Sequence, residues 1–190
     1  MRWNLHCTIR SPQTLHRMDG DTTRIAAGLQ QNVPIAIAPD WSPTGSAGML
    51  QEFGDASRRY RNLNPMATST PAKLARLSDR IGSLAPGLFA DFIVMRGDRS
   101  NPYAAVTLAT PADMQPLVIG VQAEYGDPEV METLRPGAVL ERIDVCGVPK
   151  APYLRDSAAA ARHETFADIR HALNAAWVRS CSQRGPIECN

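Results

Sequence analysis

The sequence has no excess of charge of either sign. Its 20 basic and 19 acidic residues give a formal net charge of +1. Without a strongly basic surface, nucleic acid and anionic membranes are poor candidates as partners. No apolar run reaches the length of about 18 residues that a membrane-spanning helix needs, and the N-terminus lacks the long apolar stretch of a signal peptide. We therefore expect no membrane segment and a cytoplasmic location.

Cysteine and histidine are also scarce, with four residues of each. No C-x-x-C pair occurs, so zinc-ribbon spacing is excluded. Four cysteines are too few to staple a chain of 190 residues, and reduced thiols are expected, although Cys181 and Cys189 could pair in an oxidising compartment. The histidines are predicted to lie on the surface or beside helices, and not to bind metal: His6, His16, His163 and His171.

The composition is otherwise that of an ordinary globular protein, with 44% hydrophobic and 21% charged residues. The first clear helical pattern begins at Asp21, a suitable N-cap residue. Ile25 and Leu29 lie one helical turn apart and are predicted to face a core. Asn32 is predicted to end this helix.

An apolar strand follows this helix. The continuous apolar run at residues 33–38 is typical of a strand that is buried on both faces of a parallel sheet. Asp40 stands at the carboxyl end of the strand, where parallel α/β barrels place their active-site side chains. Considered without its neighbours, Asp40 is better interpreted as a residue that accepts backbone N–H hydrogen bonds in a loop or at a helix.

Further helices and then short strands are predicted along the chain. One helix spans residues 49–59, and another begins at Thr70 and buries Leu74 and Leu77. Buried strands are predicted at residues 92–95 and 117–121, and one more strand is predicted at residues 139–146. A capping-box pattern formed by Thr165 and Asp168 begins the last helix. One face of that helix is predicted to be apolar: Phe166, Ile169, Leu173, Ala176 and Trp177.

Several short motifs occur in the order and spacing of one known family. They are S-P-Q-T at 11–14, G-D-T-T at 20–23, D-W-S-P-T-G-S at 40–46, N-P at 64–65, T-S-T-P-A-K at 68–73, I-G-S-L-A-P-G-L-F-A-D-F-I-V at 81–94, N-P-Y at 101–103 and Y-G-D at 125–127. Together they resemble the C-terminal portion of metal-dependent amidohydrolases, in the imidazolonepropionase-like group of cyclic-amide hydrolases and deaminases. The sequence departs from the family pattern at Leu15, Asp19 and Gln122-Ala123, which affects local turns and substrate contacts.

The resemblance implies an incomplete (β/α)8 barrel followed by a small composite β-sandwich domain and a C-terminal helix. Residues 1–80 would be the remnant of the barrel, residues 81–150 the β-sandwich and residues 151–190 a helical tail. A (β/α)8 barrel takes roughly 250 residues, with about 200 as a lower limit. The residues up to Asp40 have room for one strand, one helix and the last strand, so we expect a fragment that cannot form the barrel alone.

The resemblance also implies hydrolysis or deamination at a carbon–nitrogen bond, other than a peptide bond, of a small molecule. Asp40 would contact a divalent metal and act as the general base toward its bound water, while Trp41 would contact the substrate. Zinc is the expected metal, with iron or manganese as alternatives. The family's H-x-H metal motif does not occur in the sequence, so this chain alone is not expected to retain the metal.

Other interpretations stay open beside this one. The chain could be a non-catalytic binding or interaction module, or half of a split enzyme that another polypeptide completes. Its expected partners are a small-molecule substrate and either a second copy of the chain or the missing N-terminal barrel portion. A nucleophile loop at Ser42, Gly45 and Ser46 is disfavoured because G-x-S-x-G is absent. Glu52 is predicted to lie on a solvated helix face, and Trp177 is predicted to be a core residue.

Overall fold

The computed structural model describes residues 7–9, 25–39, 46, 48–58, 60, 63–154 and 164–180. The chain divides into two compact units, which comprise residues 1–91 with 96–110 and residues 92–95 with 111–190. Among the described residues, no helix is long and apolar enough to cross a membrane.

A parallel pair of strands lies at the centre of the first unit. The strands are β1 (Cys7–Ile9) and β2 (Ile35–Ile37), with Thr8 opposite Ala36. The prediction of a parallel strand in this region is confirmed, although it is shorter than the apolar run. The helices of the unit are α1 (Ile25–Gln30), α2 (Met49–Ser57), α3 (Asn64–Ala67), α4 (Ser69–Leu74) and α5 (Pro102–Thr107).

The core of the first unit joins β2 to the helices around it. Its buried residues are Ile25, Ile35, Ile37, Phe53, Ala56, Leu63 and Met66. Burial of these side chains stabilises the unit by about 1.5–3 kcal/mol for each large aliphatic or aromatic residue. Since α1, α2 and β2 share this cluster, the position of α2 is tied to that of the strand.

Helix α1 contacts β2 through a different face from the one predicted. Ile25 is buried as expected, but Leu29 is 39% exposed. Gly28 lies against β2 instead, because a Cβ atom built there would stand 3.3 Å from Cδ1 of Ile35. The helix ends as predicted at Asn32, which has a φ of 55° and donates its N–H to the Leu29 carbonyl.

Helix α4 begins earlier than its sequence predicts. Its N-cap residue is Thr68 rather than Thr70. This shift turns Ala72 toward the interior, while the predicted core residue Leu77 is 42% exposed. The backbone at Gly82 packs over Ala72, since a Cβ atom on Gly82 would come within 2.5 Å of the Ala72 Cβ. Only glycine allows this contact, and it explains why a small residue is buried here.

The second unit contains a five-stranded antiparallel sheet with the strand order β3-β4-β5-β7-β6. Its strands are β3 (Phe92–Met95), β4 (Met114–Ile119), β5 (Gln122–Gly126), β6 (Ile143–Val145) and β7 (Val148–Pro152). Helix α6 (Pro128–Leu134) covers the sheet through Met131, which packs with Val118, Ala123 and Ala151. A 3₁₀ turn (Pro111–Asp113) and helix α7 (Phe166–Ser180) complete the described elements.

Three strand predictions in this unit need correction. The strand predicted at residues 117–121 is β4, which ends at Ile119, and Val121 lies in the turn that follows it. Strand β3 was expected to be buried, but Ile93 and Val94 are 47% and 42% exposed. The reason is its position at the edge of the sheet, where β4 is its one partner strand among the described residues. The strand predicted at residues 139–146 is limited to β6, and it turns back into β7, which was not predicted because Pro149 and Pro152 disfavour a strand.

The turn between β6 and β7 contains a disulfide-bonded cysteine. Cys146 and Gly147 have φ values of 56° and 79°, as a two-residue hairpin turn requires. Cys146 takes part in a disulfide, and its partner is not among the side chains that the structure describes. The expectation of reduced thiols is therefore wrong for this residue.

Helix α7 begins with the predicted capping box. The N–H of Thr165 donates to the Asp168 carboxylate at 2.9 Å, and the N–H of Asp168 donates to the Thr165 hydroxyl at 3.1 Å. The predicted apolar face is only partly confirmed, because Leu173 is 65% exposed. The side chain of Trp177 lies outside the described residues.

We predict that Val121→Asn will stabilise the chain. Val121 occupies the turn between β4 and β5 with a φ of 66°, a conformation that strains a β-branched side chain, and it is 77% exposed. Asparagine tolerates this region, so the free energy of unfolding should rise by about 1 kcal/mol. Thermal unfolding measures the change. Val139→Asn, at another exposed valine that lacks a positive φ, should show no gain, and an equal gain there would contradict the explanation.

Candidate functional site

The two residues predicted from the family resemblance, Asp40 and Trp41, lie outside the described residues. Their roles therefore stay predictions. The strand that leads to them is well defined, because Ile37 at the end of β2 is only 2% exposed and belongs to the core of the first unit. Ala38 and Pro39 continue from it and are partly buried. Ser42 and Gly45 of the disfavoured nucleophile loop also lie outside the described residues.

Two buried polar side chains of the first unit, Ser46 and Glu52, meet through a hydrogen bond. Ser46 is 3% exposed, and its hydroxyl donates a hydrogen bond of 2.5 Å to Oε2 of Glu52. Glu52 lies in the first turn of α2 and is completely buried. The prediction that Glu52 would occupy a solvated helix face is therefore wrong.

Helix α2 is oriented with Glu52 on a buried side because its apolar residues and its one glycine face neighbouring elements. Phe53 and Ala56 are in the core of the first unit, and Glu52 immediately precedes Phe53 in the same helix. Gly54 allows α5 to approach closely, since a Cβ atom there would stand 2.9 Å from the carbonyl oxygen of Thr107. These contacts orient α2 and leave Glu52 on a buried side.

Glu52 has unusual electrostatic surroundings. Burial raises the pKa of its carboxyl group above the ordinary value of 4.5, and the nearby charge of Asp55 raises the pKa further, while the hydrogen bond from Ser46 lowers it. Its second oxygen, Oε1, is buried and has no hydrogen-bond partner among the residues that the structure describes. An unsatisfied buried oxygen typically costs about 1–3 kcal/mol. These surroundings raise the pKa of the Glu52 carboxyl group above its usual range, and nothing in its residue type revealed this from the sequence.

The raised pKa predicts a pH-dependent stability. A carboxyl group whose pKa is higher in the folded than in the unfolded state stabilises the fold fully below 4.5, and this contribution is lost as pH rises through the folded-state pKa. Glutamine does not titrate, so Glu52→Gln should melt at a higher temperature than the wild type at neutral pH. The difference should shrink toward about pH 4. The exposed Glu129→Gln is the control, and a pH-independent difference for Glu52→Gln would refute the assignment.

The described residues do not fit a metal site. Among them, no group of three or more histidine, cysteine, aspartate or glutamate side chains stands close enough to hold an ion. His171 is exposed on α7, as predicted for a surface histidine. The side chains of His6, His16 and His163 lie outside the described residues. We therefore derive no catalytic step through a metal from this chain.

A second buried charge lies in the other unit and was missed from the sequence. The Lys150 side chain on β7 is completely buried, and its ammonium donates to Oδ1 of Asp127 and to the Met114 carbonyl, each at 2.6 Å. Asp127 is the N-cap residue of α6, but its side chain makes no capping hydrogen bond. The lysine therefore connects β4, β7 and the start of α6, which is a structural role.

Comparison with solved structures finds a fold likeness to E. coli guanine deaminase. The TM-score is 0.51 at 19% sequence identity, and the similarity covers 62% of this chain and 33% of the deaminase chain. The chain therefore spans about a third of the length of that structure. No protein-family profile matches the sequence, and no curated protein is similar to it. The fold is mixed α/β with an antiparallel sheet.

Proposed function

We propose that this chain is the C-terminal portion of a metal-dependent hydrolase that acts on a carbon–nitrogen bond, other than a peptide bond, of a small molecule. The observation that carries the proposal is the fold likeness to a deaminase over 62% of the chain. The ordered motifs at 40–46 and 81–94 support it independently, because they resemble the amidohydrolase family in sequence. The three-part division at residues 80 and 150 belongs to the same proposal.

Asp40 is the proposed general base. It follows β2, a parallel strand whose carboxyl end is the place where such barrels carry their catalytic groups. A carboxylate within hydrogen-bond reach of a water molecule accepts its proton and can deliver that proton to a leaving amine. Trp41, the next residue, would contact the substrate. Guanine deaminase suggests a ring-bound amine as the leaving group, and a heterocyclic amidine as the substrate class.

A divalent metal would need more ligands than the described part of this chain supplies. Catalytic zinc sites usually take about three protein ligands, and the described residues hold no such group. Zinc, or iron or manganese as alternatives, would supply an acidified water when bound. The remaining ligands would come from barrel strands other than β1 and β2.

The proposal is tested by comparing two chains. One is the 190-residue chain, and the other is the same chain extended by its upstream coding sequence. After dialysis against metal-free buffer, only the extended chain should retain about one zinc ion and release ammonia from heterocyclic amidines. Zinc content by mass spectrometry and ammonia by a coupled assay give the readout. Metal-dependent turnover by the 190 residues alone would contradict the expected incompleteness.

An interaction module is the second candidate function. The exposed Ile93 and Val94 on the edge strand β3 favour it, because unpaired apolar strand edges promote association. In that case the chain would assemble with another copy or a partner strand and would not catalyse a reaction. Sedimentation of the extended and 190-residue chains separates the two candidates, since an active extended monomer would exclude an obligatory assembly role.

A further inference from the structure

Helix α2 has few stabilising features within its own sequence. It has 9 residues, whereas an isolated helix needs about 12–15 residues to be stable in water. Gly54 lies in its interior, where glycine weakens a helix, and its N-cap residue Gly48 makes no side-chain hydrogen bond. Phe53 is the one large apolar side chain that the helix buries. The helix therefore depends on its contacts with neighbouring elements, and such contacts can open locally.

One of these contacts depends on the protonation of a carboxyl group. Glu52 is completely buried, and its Oε2 atom accepts a hydrogen bond of 2.5 Å from the Ser46 hydroxyl. Its Oε1 atom has no hydrogen-bond partner among the described residues. An ionised Glu52 therefore places a negative charge in the interior with one described donor, whereas a protonated Glu52 is neutral and still offers Oε2 to Ser46. The closed position of α2 favours the protonated form.

Among the described residues, no cation on the elements around α2 offsets this negative charge. Burial raises the pKa of the Glu52 carboxyl group, the hydroxyl hydrogen bond lowers it by less, and the negative charge of Asp55 raises it further. Arg58 lies 3.9 Å from Asp55, and its side chain is 73% exposed. Helices α1, α3 and α5 and strand β2 contain no charged residue. The other titratable residues there are Tyr60, which packs against the core, and the exposed Tyr103.

We propose that helix α2 opens locally from β2 and α5 when the Glu52 carboxyl group ionises, and closes when this group is protonated. In the open form Glu52 reaches water and titrates at the ordinary pKa of 4.5, whereas its pKa in the closed form is higher. Closure is therefore fully favoured below pH 4.5, and this contribution is lost as pH rises through the closed-form pKa. The opened helix exposes Phe53 and the apolar core behind it. This switch does not depend on a catalytic role of the chain, so its failure leaves the proposed function untouched.

Hydrogen exchange of the backbone amides, followed by NMR on the whole chain between about pH 4.5 and about pH 8, tests this switch. The protection of an amide is its intrinsic exchange rate divided by its observed rate at the same pH, so the pH dependence of the exchange chemistry cancels. The protection of the α2 amides should fall by roughly tenfold over this range. It should also stay below that of the β2 amides and be insensitive to low concentrations of urea, because local opening exposes little surface.

Two variants of the same helix identify the group that titrates. Glu52→Gln keeps an oxygen that accepts from Ser46 but cannot ionise, so the protection of its α2 amides should not change with pH. Asp55→Asn is the matched control, because it removes the other carboxylate of the helix, and the fall in protection should remain, although smaller. Far-UV circular dichroism confirms the folding of both variants. If Glu52→Gln fails to fold, a ¹³C titration of the Glu52 carboxyl group in the wild type decides, because the α2 protection should level off at the pH where that group titrates.

Three results would overturn the proposal. If the protection of the α2 amides did not change with pH, Glu52 would not control the helix. If the protection fell as much in Glu52→Gln as in the wild type, another group would be responsible for the effect. If the α2 and β2 amides shared the same protection and the same dependence on urea, the helix would open only when the whole first unit unfolds.

Discussion

Asp40→Asn should lower kcat of the extended, metal-loaded hydrolase by roughly 10²–10⁴-fold, the range that a general base contributes. Asparagine has nearly the same size but cannot accept a proton from water, so substrate binding should change much less than kcat. The acidic limb of the pH–rate profile should disappear with the carboxylate. Steady-state kinetics with a heterocyclic amidine measures both effects.

A matched control is available for this substitution. Asp79→Asn removes an exposed carboxylate from a turn in the first unit and should leave kcat unchanged. Zinc content should be determined for each variant, because loss of metal would mimic loss of the base. Full activity of zinc-loaded Asp40→Asn would exclude Asp40 as the proton acceptor.

Lys150→Met should destabilise the second unit by about 3 kcal/mol, toward the lower end for breaking a buried ion pair. Methionine keeps most of the volume of the side chain but removes the ammonium from Asp127 and from the Met114 carbonyl. Asp127 is 18% exposed in its side chain, so water can partly replace the lost cation. Chemical denaturation of the chain measures the free energy of unfolding.

The double variant Lys150→Met with Asp127→Asn tests whether the ion pair is the cause. Because the double variant also removes the negative charge that loses its lysine, it should recover part of the stability lost in the single variant. Lys73→Met on α4, at an exposed lysine, should change stability by less than about 0.5 kcal/mol. If the Lys150→Met chain were as stable as the wild type, the buried ion pair would make no net contribution to the free energy of unfolding.

The fold could be predicted from the sequence where local signals agree with the tertiary environment. The run at residues 33–38 indicated a parallel strand, and β2 pairs with β1 in this way. The capping box at Thr165 and the helix end at Asn32 were also confirmed, since both depend on neighbouring residues alone. Such local interactions can be predicted from the sequence without knowledge of the fold.

Predictions failed where distant contacts decide. Leu29 was expected in the core, but Gly28 faces Ile35 instead. Val94 was expected to be buried, but it is exposed because β3 lies at the edge of the sheet. The hydrophobicity of the strand does not reveal that position.

In the candidate site, too, one residue could be predicted from the sequence and another could not. Asp40 could be proposed from its strand and its motif, whereas the buried carboxyl of Glu52 could not. A glutamate in the first turn of a helix usually faces water, where it interacts favourably with the helix dipole. Its burial here follows from the close approach at Gly54 and from packing of Phe53, which involve residues far apart in the sequence. The sequence relates Glu52 to Ser46 only through their spacing of six residues, and this spacing does not predict a contact without the structure.

The most direct test of the central claim is to read the coding DNA upstream of Met1. The proposed function predicts an open reading frame that continues upstream and encodes an H-x-H motif after a short apolar strand. That result would make this chain the C-terminal portion of a metal-dependent hydrolase, with Asp40 as its proton-transfer carboxylate. An in-frame stop codon close to Met1 would contradict the claim and favour a non-catalytic module or one half of a split enzyme.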